Sequence, residues 1–428
     1  MKTKRLVTVL GALVVSANSA AQTNDWGVAG VFRSATIPFK SELGDTNVTS
    51  FSPLIFYKGE YFYADGDEFG VRLFSGNDFD IYTKIETRFV DIPRSIQNRA
   101  GGDKADAGLM AVYPLDEWDL SASVMWDPDA RAHGQLTLER EYNHGDWYLK
   151  PEYRLRFKSD EFNSQYYAFN SYTGNEIGSG IDFTASLDAR YHVYSNLYLL
   201  GGLGVTYLDS EAYKSAYVDE RLQGEVYLGI GFFNDKNEKS RSLSNKPYLR
   251  FAHGWATPSN MGDILSGNTE KDPDNNQLSS VFYGHPVADS LFGFDFDIYM
   301  TSGLVHHYSS DVQSSSTEVV LAVKAYYEFD WPTKWRFGAA EGLSYIDNVT
   351  YIESSEMERK GYQNSKLMNY LDISFDVNIG DLFNSRSYDN MWLGYSLHHR
   401  SAIFEQASRF GRIKGGSNYN TIALTYEF

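Results

Sequence analysis

Hydrophobic and polar side chains alternate along most of this chain. From Trp147 the odd positions read Trp147, Leu149, Pro151, Tyr153, Leu155 and Phe157, and the even ones Tyr148, Lys150, Glu152, Arg154, Arg156 and Lys158. Successive side chains on a strand point to opposite faces, so this segment carries one apolar and one charged face. The same split recurs from Phe183, with Phe183, Ala185, Leu187, Ala189, Tyr191 and Val193 set against Asp182, Thr184, Ser186, Asp188, Arg190 and His192. Ile81 to Phe89, Leu222 to Phe232, Phe292 to Met300 and Val319 to Phe329 repeat it. Segments of about ten alternating residues between turns are the signature of a strand that crosses a membrane in a β-barrel. A soluble β-sandwich alternates too, but there the polar face looks at water and the large aromatics do not gather at the strand ends. The pattern predicts an all-β protein, a transmembrane antiparallel β-barrel.

Outer-membrane barrels have even strand numbers, short periplasmic turns and longer external loops. From a periplasmic N-terminus, about twelve candidate strands begin near Trp26, Val48, Glu60, Glu68, Phe79, Ala107, Leu120, Ala132, Trp147, Ile181, Leu197 and Arg221. Asn234 to Lys246 then lacks alternation and falls on the periplasmic side, where it is too long for an ordinary turn. About eight further strands begin near Pro247, Ser279, Phe292, Ser316, Lys334, Leu367, Asp389 and Ser417. The reading is two tandem barrels, over residues 22–233 and 247–428, joined by a periplasmic linker at 234–246. One barrel of about twenty strands is the alternative.

Lys2, Lys4 and Arg5 precede an apolar run from Leu6 to Val15, and Ser19-Ala20-Ala21 supplies the small residues of a cleavage site. Residues 1–21 read as a secretory signal peptide cut before Gln22. Its apolar core is too short to span a bilayer as a helix.

Composition sharpens the picture. Aromatics make up 16% of the chain, which suits girdles at both membrane interfaces. A net charge of −18 argues against nucleic acid as a partner. With no Cys, disulfide frameworks, thiolate catalysis and Cys-ligated metal are all excluded. The C-terminus alternates through Ile422, Leu424 and Tyr426 to Phe428, an ending similar to the assembly signal of Gram-negative outer-membrane barrels.

Several features of Gln22 to Phe233 carry a family resemblance: an opening strand with Trp26-Gly27, a hairpin at Ser52-Pro53-Leu54-Ile55-Phe56-Tyr57-Lys58-Gly59, and closing strands around Tyr198 to Tyr207 and Arg221 to Phe233. This half resembles the MipA/OmpV family of outer-membrane proteins. The resemblance implies a barrel with a structural role, in some members a scaffold for periplasmic cell-wall enzymes, and it brings no catalytic residue. Residues 247–428 resemble, more distantly, lipid A deacylases and acyloxyacyl-hydrolase-like barrels. That family carries His-x-Ser on the penultimate strand and an acid on the last. Here His399-Arg400-Ser401 matches the first element, while the last strand offers Ser417-Asn418-Tyr419-Asn420 in place of the acid.

Parity gives the same segment an independent reading. Met391, Leu393, Tyr395 and Leu397 share one face, so His399 and Ser401 continue it toward lipid, while His398 and Arg400 point inward. The strand runs outward and places the pair at the external rim. Side chains two apart on one face are read here as reaching hydrogen-bond contact, the geometry of a base-activated nucleophile. The candidate catalytic set is Ser401 as nucleophile, His399 as base and Asn418 as orienter, with Glu405 as an alternative orienter and the amides of Gly415-Gly416 for the oxyanion. The other doublet, His306-His307-Tyr308-Ser309, puts His307 and Ser309 on the inward face. No carboxylate stands at ligand spacing beside these histidines, which read as dispersed surface residues, and no metal or cofactor is expected.

Three functions follow. The first is a structural or scaffolding outer-membrane protein, with outer-membrane lipid, lipopolysaccharide and periplasmic cell-wall enzymes as partners. The second is a lipid A ester hydrolase acting through the second barrel, and the third a narrow porin. The sequence leaves the oligomeric state open.

Overall fold

A computed structural model describes residues 25–43, 46–89, 91–93, 104–234, 243–362, 364–401 and 416–428. The leader expected at 1–21, its expected cut site, Glu405 and Gly415 lie outside the described residues.

The first half contains β1 (Asp25–Thr36), β2 (Asn47–Lys58), β3 (Phe62–Gly66), β4 (Glu68–Ser75), β5 (Asp80–Arg88), β6 (Lys104–Leu115), β7 (Trp118–Trp126), β8 (Ala132–Glu139), β9 (Tyr142–His144), β10 (Trp147–Lys158), β11 (Gly180–Tyr194), β12 (Leu197–Tyr207) and β13 (Leu222–Phe233). Each pairs antiparallel with its neighbours, and β13 returns to β1 with Phe233 opposite Gly27. Both β8 and β9 pair with β10, so together they occupy one position and the wall closes as a 12-stranded barrel. The second half contains β14 (Tyr248–Thr257), β15 (Gln277–Ala288), β16 (Phe296–His307), β17 (Ser316–Phe329), β18 (Trp335–Ile346), β19 (Leu367–Asn378), β20 (Met391–Ser401) and β21 (Gly416–Glu427). These close as a separate barrel in which β21 pairs with β14. There are two barrels, and the single large one is set aside. No described helix is long and apolar enough to cross a membrane.

Predicted strand starts fall within a few residues of the observed ones. The largest offset is at Phe292: β16 begins at Phe296 because Leu291 and Phe294 close a tight turn with Phe292 at φ 55° and Gly293 at φ 77°.

The end of the first barrel that carries its longer loops, external in the topology expected from the sequence, is covered. Helix α1 (Asp160–Tyr167) starts where Ser159 Oγ accepts the Phe162 N–H at 3.2 Å, with Asp160 and Glu161 in the first turn to suit the helix dipole. Phe162, Tyr166 and Phe169 pack with Phe39, Ile92 and Leu208 into an apolar cap. Below it lies a cavity of about 1000 Å³ lined by the inward residues of the wall. Paired charges dominate that lining: Arg88 Nε to Asp106 at 2.7 Å, Lys150 to Asp65 at 2.6 Å, and Arg33 to Asp91 at 2.8 Å. One anchor ties wall to cap. Lys158 reaches Asp209 at 2.6 Å, and the same carboxylate accepts the N–H groups of Glu211 and Ala212 at the start of α2 (Ser210–Tyr213). Burial alone would raise the pKa of Asp209, but Lys158 and the two amides outweigh it and hold the carboxyl below its ordinary value.

The second barrel is filled. Tyr248, Tyr299 and Tyr326 meet edge to face in its periplasmic half. Around them Asp376 accepts from Arg250 at 3.0 Å and from Arg336 at 3.1 Å, Arg336 reaches Glu427, and Lys324 pairs with Asp372. The void left near His398 has room for about one water, roughly 20 Å³.

The barrels meet along their outer walls. Trp26, Ile55, Ala64 and Phe69 of the first join Val287, Ile298, Met300 and Val323 of the second in one apolar cluster. Ile55 and Ile298 face outward by parity yet are 1% and 2% exposed, so each wall screens the other there from lipid.

Candidate functional site

β20 carries the predicted site, and its parity is as expected. Leu393 and Tyr395 are exposed on the outer face, whereas His398 and Arg400 are buried in the lumen. His399 and Ser401 are half-buried on the outer wall near the external end.

Register decides what each of them touches. His399 stands directly opposite Asn418 on β21, and its Nδ1 lies 2.6 Å from Asn418 Oδ1. Asn418 Nδ2 donates to the Ser259 carbonyl at 2.8 Å, which turns the amide oxygen toward the imidazole. The oxygen can only accept, so Nδ1 carries the proton and Nε2 is the basic nitrogen. Asn418 therefore fixes the tautomer and the orientation of the ring. No hydrogen bond joins His399 to Ser401 among the described residues. Two residues along a strand are about 6.7 Å apart, whereas directly opposed cross-strand Cβ atoms are about 4.5–5.5 Å apart. Ser401 instead stands opposite Gly416 on one side and Asn369 on the other.

The inward face holds what the sequence missed. His307 Nε2 and His398 Nε2 both reach Glu318 Oε2, at 2.8 and 3.1 Å. Ser344 Oγ donates to Glu318 Oε1 at 2.6 Å and accepts from Arg400 Nε at 2.8 Å. The reading of the histidines as dispersed surface residues is corrected: His307 and His398 are fully buried and share a carboxylate. Glu318 lies on the inward face of β17, across the lumen from β20, so sequence spacing along one strand could not reveal it. Ser309 lies beyond the end of β16 and takes no part. Among the described residues no group of three or more His, Asp or Glu has the arrangement of a metal site.

Arg400 also seats an external helix. Its Nη1 donates to Glu353 Oε2 at 2.7 Å and its Nη2 to the Lys366 carbonyl at 3.0 Å. Glu353 belongs to α3 (Tyr351–Arg359), in the loop between β18 and β19, and is fully buried. Full burial pushes its pKa up to about 7; Arg400 opposes this but is shared with Glu318.

Comparison with known proteins bears on the first barrel. No curated protein matches the chain. Among solved structures, a "Bacterial polysaccharide outer membrane secretin" is 9% identical, with 94% of this chain and 98% of that one covered and a TM-score of 0.24. CdiB from Acinetobacter baumannii is 8% identical, with 95% and 61% covered and a TM-score of 0.27. The outer membrane channel DcaP of Acinetobacter baumannii is 10% identical, with 96% and 99% covered and a TM-score of 0.22. These scores are too low for the likeness to bear on fold or function. The family model "MltA-interacting protein MipA" matches residues 27–233, from the first residues of β1 to the last of β13. The chain is an outer-membrane β-barrel protein whose first barrel, residues 27–233, matches the MipA family.

Proposed function

We propose that this protein is a scaffold of the Gram-negative envelope, delivered by a leader cleaved before Gln22, whose periplasmic face holds a cell-wall enzyme. The observation that carries this reading is the asymmetry of the MipA-family barrel. An apolar cap covers its external end, while the cavity lining reaches Lys58, Gly59, Tyr61 and Asn143 at the periplasmic end. Such a barrel suits holding something on the inside better than passing solutes. The family's printed name, an MltA-interacting protein, supports a partner of that kind. Site-specific photocrosslinking from Tyr61, Glu117 and Asp146 in the periplasmic turns tests it. A discrete crosslink to a cell-wall enzyme is expected, and the absence of any specific periplasmic partner would overturn the reading.

A second reading is lipopolysaccharide ester hydrolysis at the rim of the second barrel, favoured by the 2.6 Å contact that orients His399. Ser401 attacks an acyl carbonyl and Nε2 of His399 takes its proton once a rotamer change brings them together. Lipid A masses from cells carrying the protein, Ser401→Ala or His399→Ala test this. A loss of acyl mass that depends on both residues is expected, and unchanged lipid A with the unaltered protein would exclude it.

A further inference from the structure

A second histidine–serine pair stands on the outer wall of the same barrel, and here the two side chains touch. His253 on β14 is directly opposite Ser279 on β15. Its Nδ1 lies 2.9 Å from Ser279 Oγ, which is in turn 3.0 Å from the hydroxyl of Tyr308. We propose that Ser279 is a nucleophile activated by His253 and assisted by Tyr308, and that it acts on acyl esters of outer-leaflet lipid. The inference is independent of the scaffold reading and uses neither His399 nor Ser401.

Position supports the assignment. His253 shares its face with Phe251 and Trp255, which are exposed, and its cross-strand neighbour on β21 is Ile422, also exposed. The wall on the β14 side of the pair is therefore apolar, while on the β16 side Ser279 stands opposite His306, whose ring meets Tyr308 edge to face at 5.0 Å. Ser279 is the third residue of β15, about 7 Å below the external end of the strand, and Tyr308 follows the last residue of β16. For a tilted strand of 12 residues crossing an apolar band about 25 Å tall, that depth is close to the outer edge of the band, the level of acyl ester bonds. Both His253 and Ser279 are half-buried, open enough to meet a substrate. The Trp255 indole stands at 89° to the imidazole with ring centroids 4.8 Å apart, which limits ring rotation.

The chemistry balances with water as co-reactant. Ser279 donates to Nδ1 while Tyr308 donates to Ser279 Oγ. As Oγ adds to the ester carbonyl carbon, the serine proton passes to Nδ1 and the Tyr308 hydroxyl turns to the new oxyanion. The adduct collapses by breaking the bond to the alcohol oxygen, which takes the proton from His253. Water then adds to the acyl-serine by the same route, and the fatty acid leaves with Ser279 restored.

The full-length protein, reconstituted in vesicles of phospholipid alone or of phospholipid with lipopolysaccharide, is treated with a fluorophosphonate probe and assayed for fatty acid release. Labelling of Ser279 is expected, together with release that falls by roughly 100- to 10,000-fold in Ser279→Ala and His253→Ala. Ser302→Ala, on the outer face of β16, keeps the rate. The vesicle that supports release identifies the lipid. Heat-modifiable migration reports folding of each variant, and labelling of the unaltered protein reads the nucleophile without any mutation. No labelling at Ser279, labelling at Ser401 instead, or a folded Ser279→Ala that keeps its rate would each overturn the assignment; label on Ser401 would support the second reading above.

Discussion

Arg400 and Glu353 meet at 2.7 Å inside the external mouth of the second barrel, although one belongs to β20 and the other to the loop helix α3. Because Arg400 also donates to Ser344, which bonds Glu318, and Glu318 accepts from His307 and His398, one guanidinium links the helix, the wall and the buried histidine pair. The contact fastens a loop over a filled barrel.

Removing Arg400 leaves two carboxylates buried with less compensation. Arg400→Ala is expected to cost about 3–5 kcal/mol, the range for breaking a buried pair by deleting one partner. The midpoint of heat-modifiable migration reads this, with Arg400→Lys falling between the two because an ammonium lacks the planar fork.

Glu353 predicts a pH dependence of defined sign. Its folded pKa, about 7, lies above the ordinary carboxylate value, so the folded state holds more protons between those values. Its contribution to stability is therefore greatest below about pH 4.5 and is lost as pH rises toward 7. Glu353→Gln should flatten that slope in thermal melts of the detergent-solubilised protein. An unchanged slope would assign the dependence to other groups.

The cap predicts low conductance. In planar bilayers the unaltered protein should give no steady current, whereas replacing residues 160–178 by a short Gly-Ser link should open the first barrel. The current should be weakly cation-selective, because acids outnumber bases along the cavity lining. A large stable conductance in the unaltered protein would restore the porin reading.

Two closed barrels predict that the chain survives cutting between them. A protease site inserted within residues 235–242 should yield two fragments that each remain heat-modifiable. They should stay associated in mild detergent through the Ile55 and Ile298 seam, and Ile298→Arg should release them. Fragments that cannot fold apart would point to one cooperative unit.

The alternating face of each strand was legible in the sequence because side-chain direction on a strand depends only on parity. Thus Trp147 was placed outward and Lys150 inward, and His399 was separated from His398, with no tertiary information needed. Strand number and the break after Phe233 followed from loop lengths, since an even count and short periplasmic turns leave few ways to thread the chain. Contacts between strands were a different matter. Register alone put His399 against Asn418 and His253 against Ser279, while Ser401, closer in sequence, stayed a strand repeat away from His399. Closure alone brought Glu318 to His398 across the lumen, 80 residues apart in the chain. Local periodicity is a property of one backbone segment and can be read from it. Which side chains share a charge depends on where distant segments stand once the wall has closed, and only the folded barrel decides that.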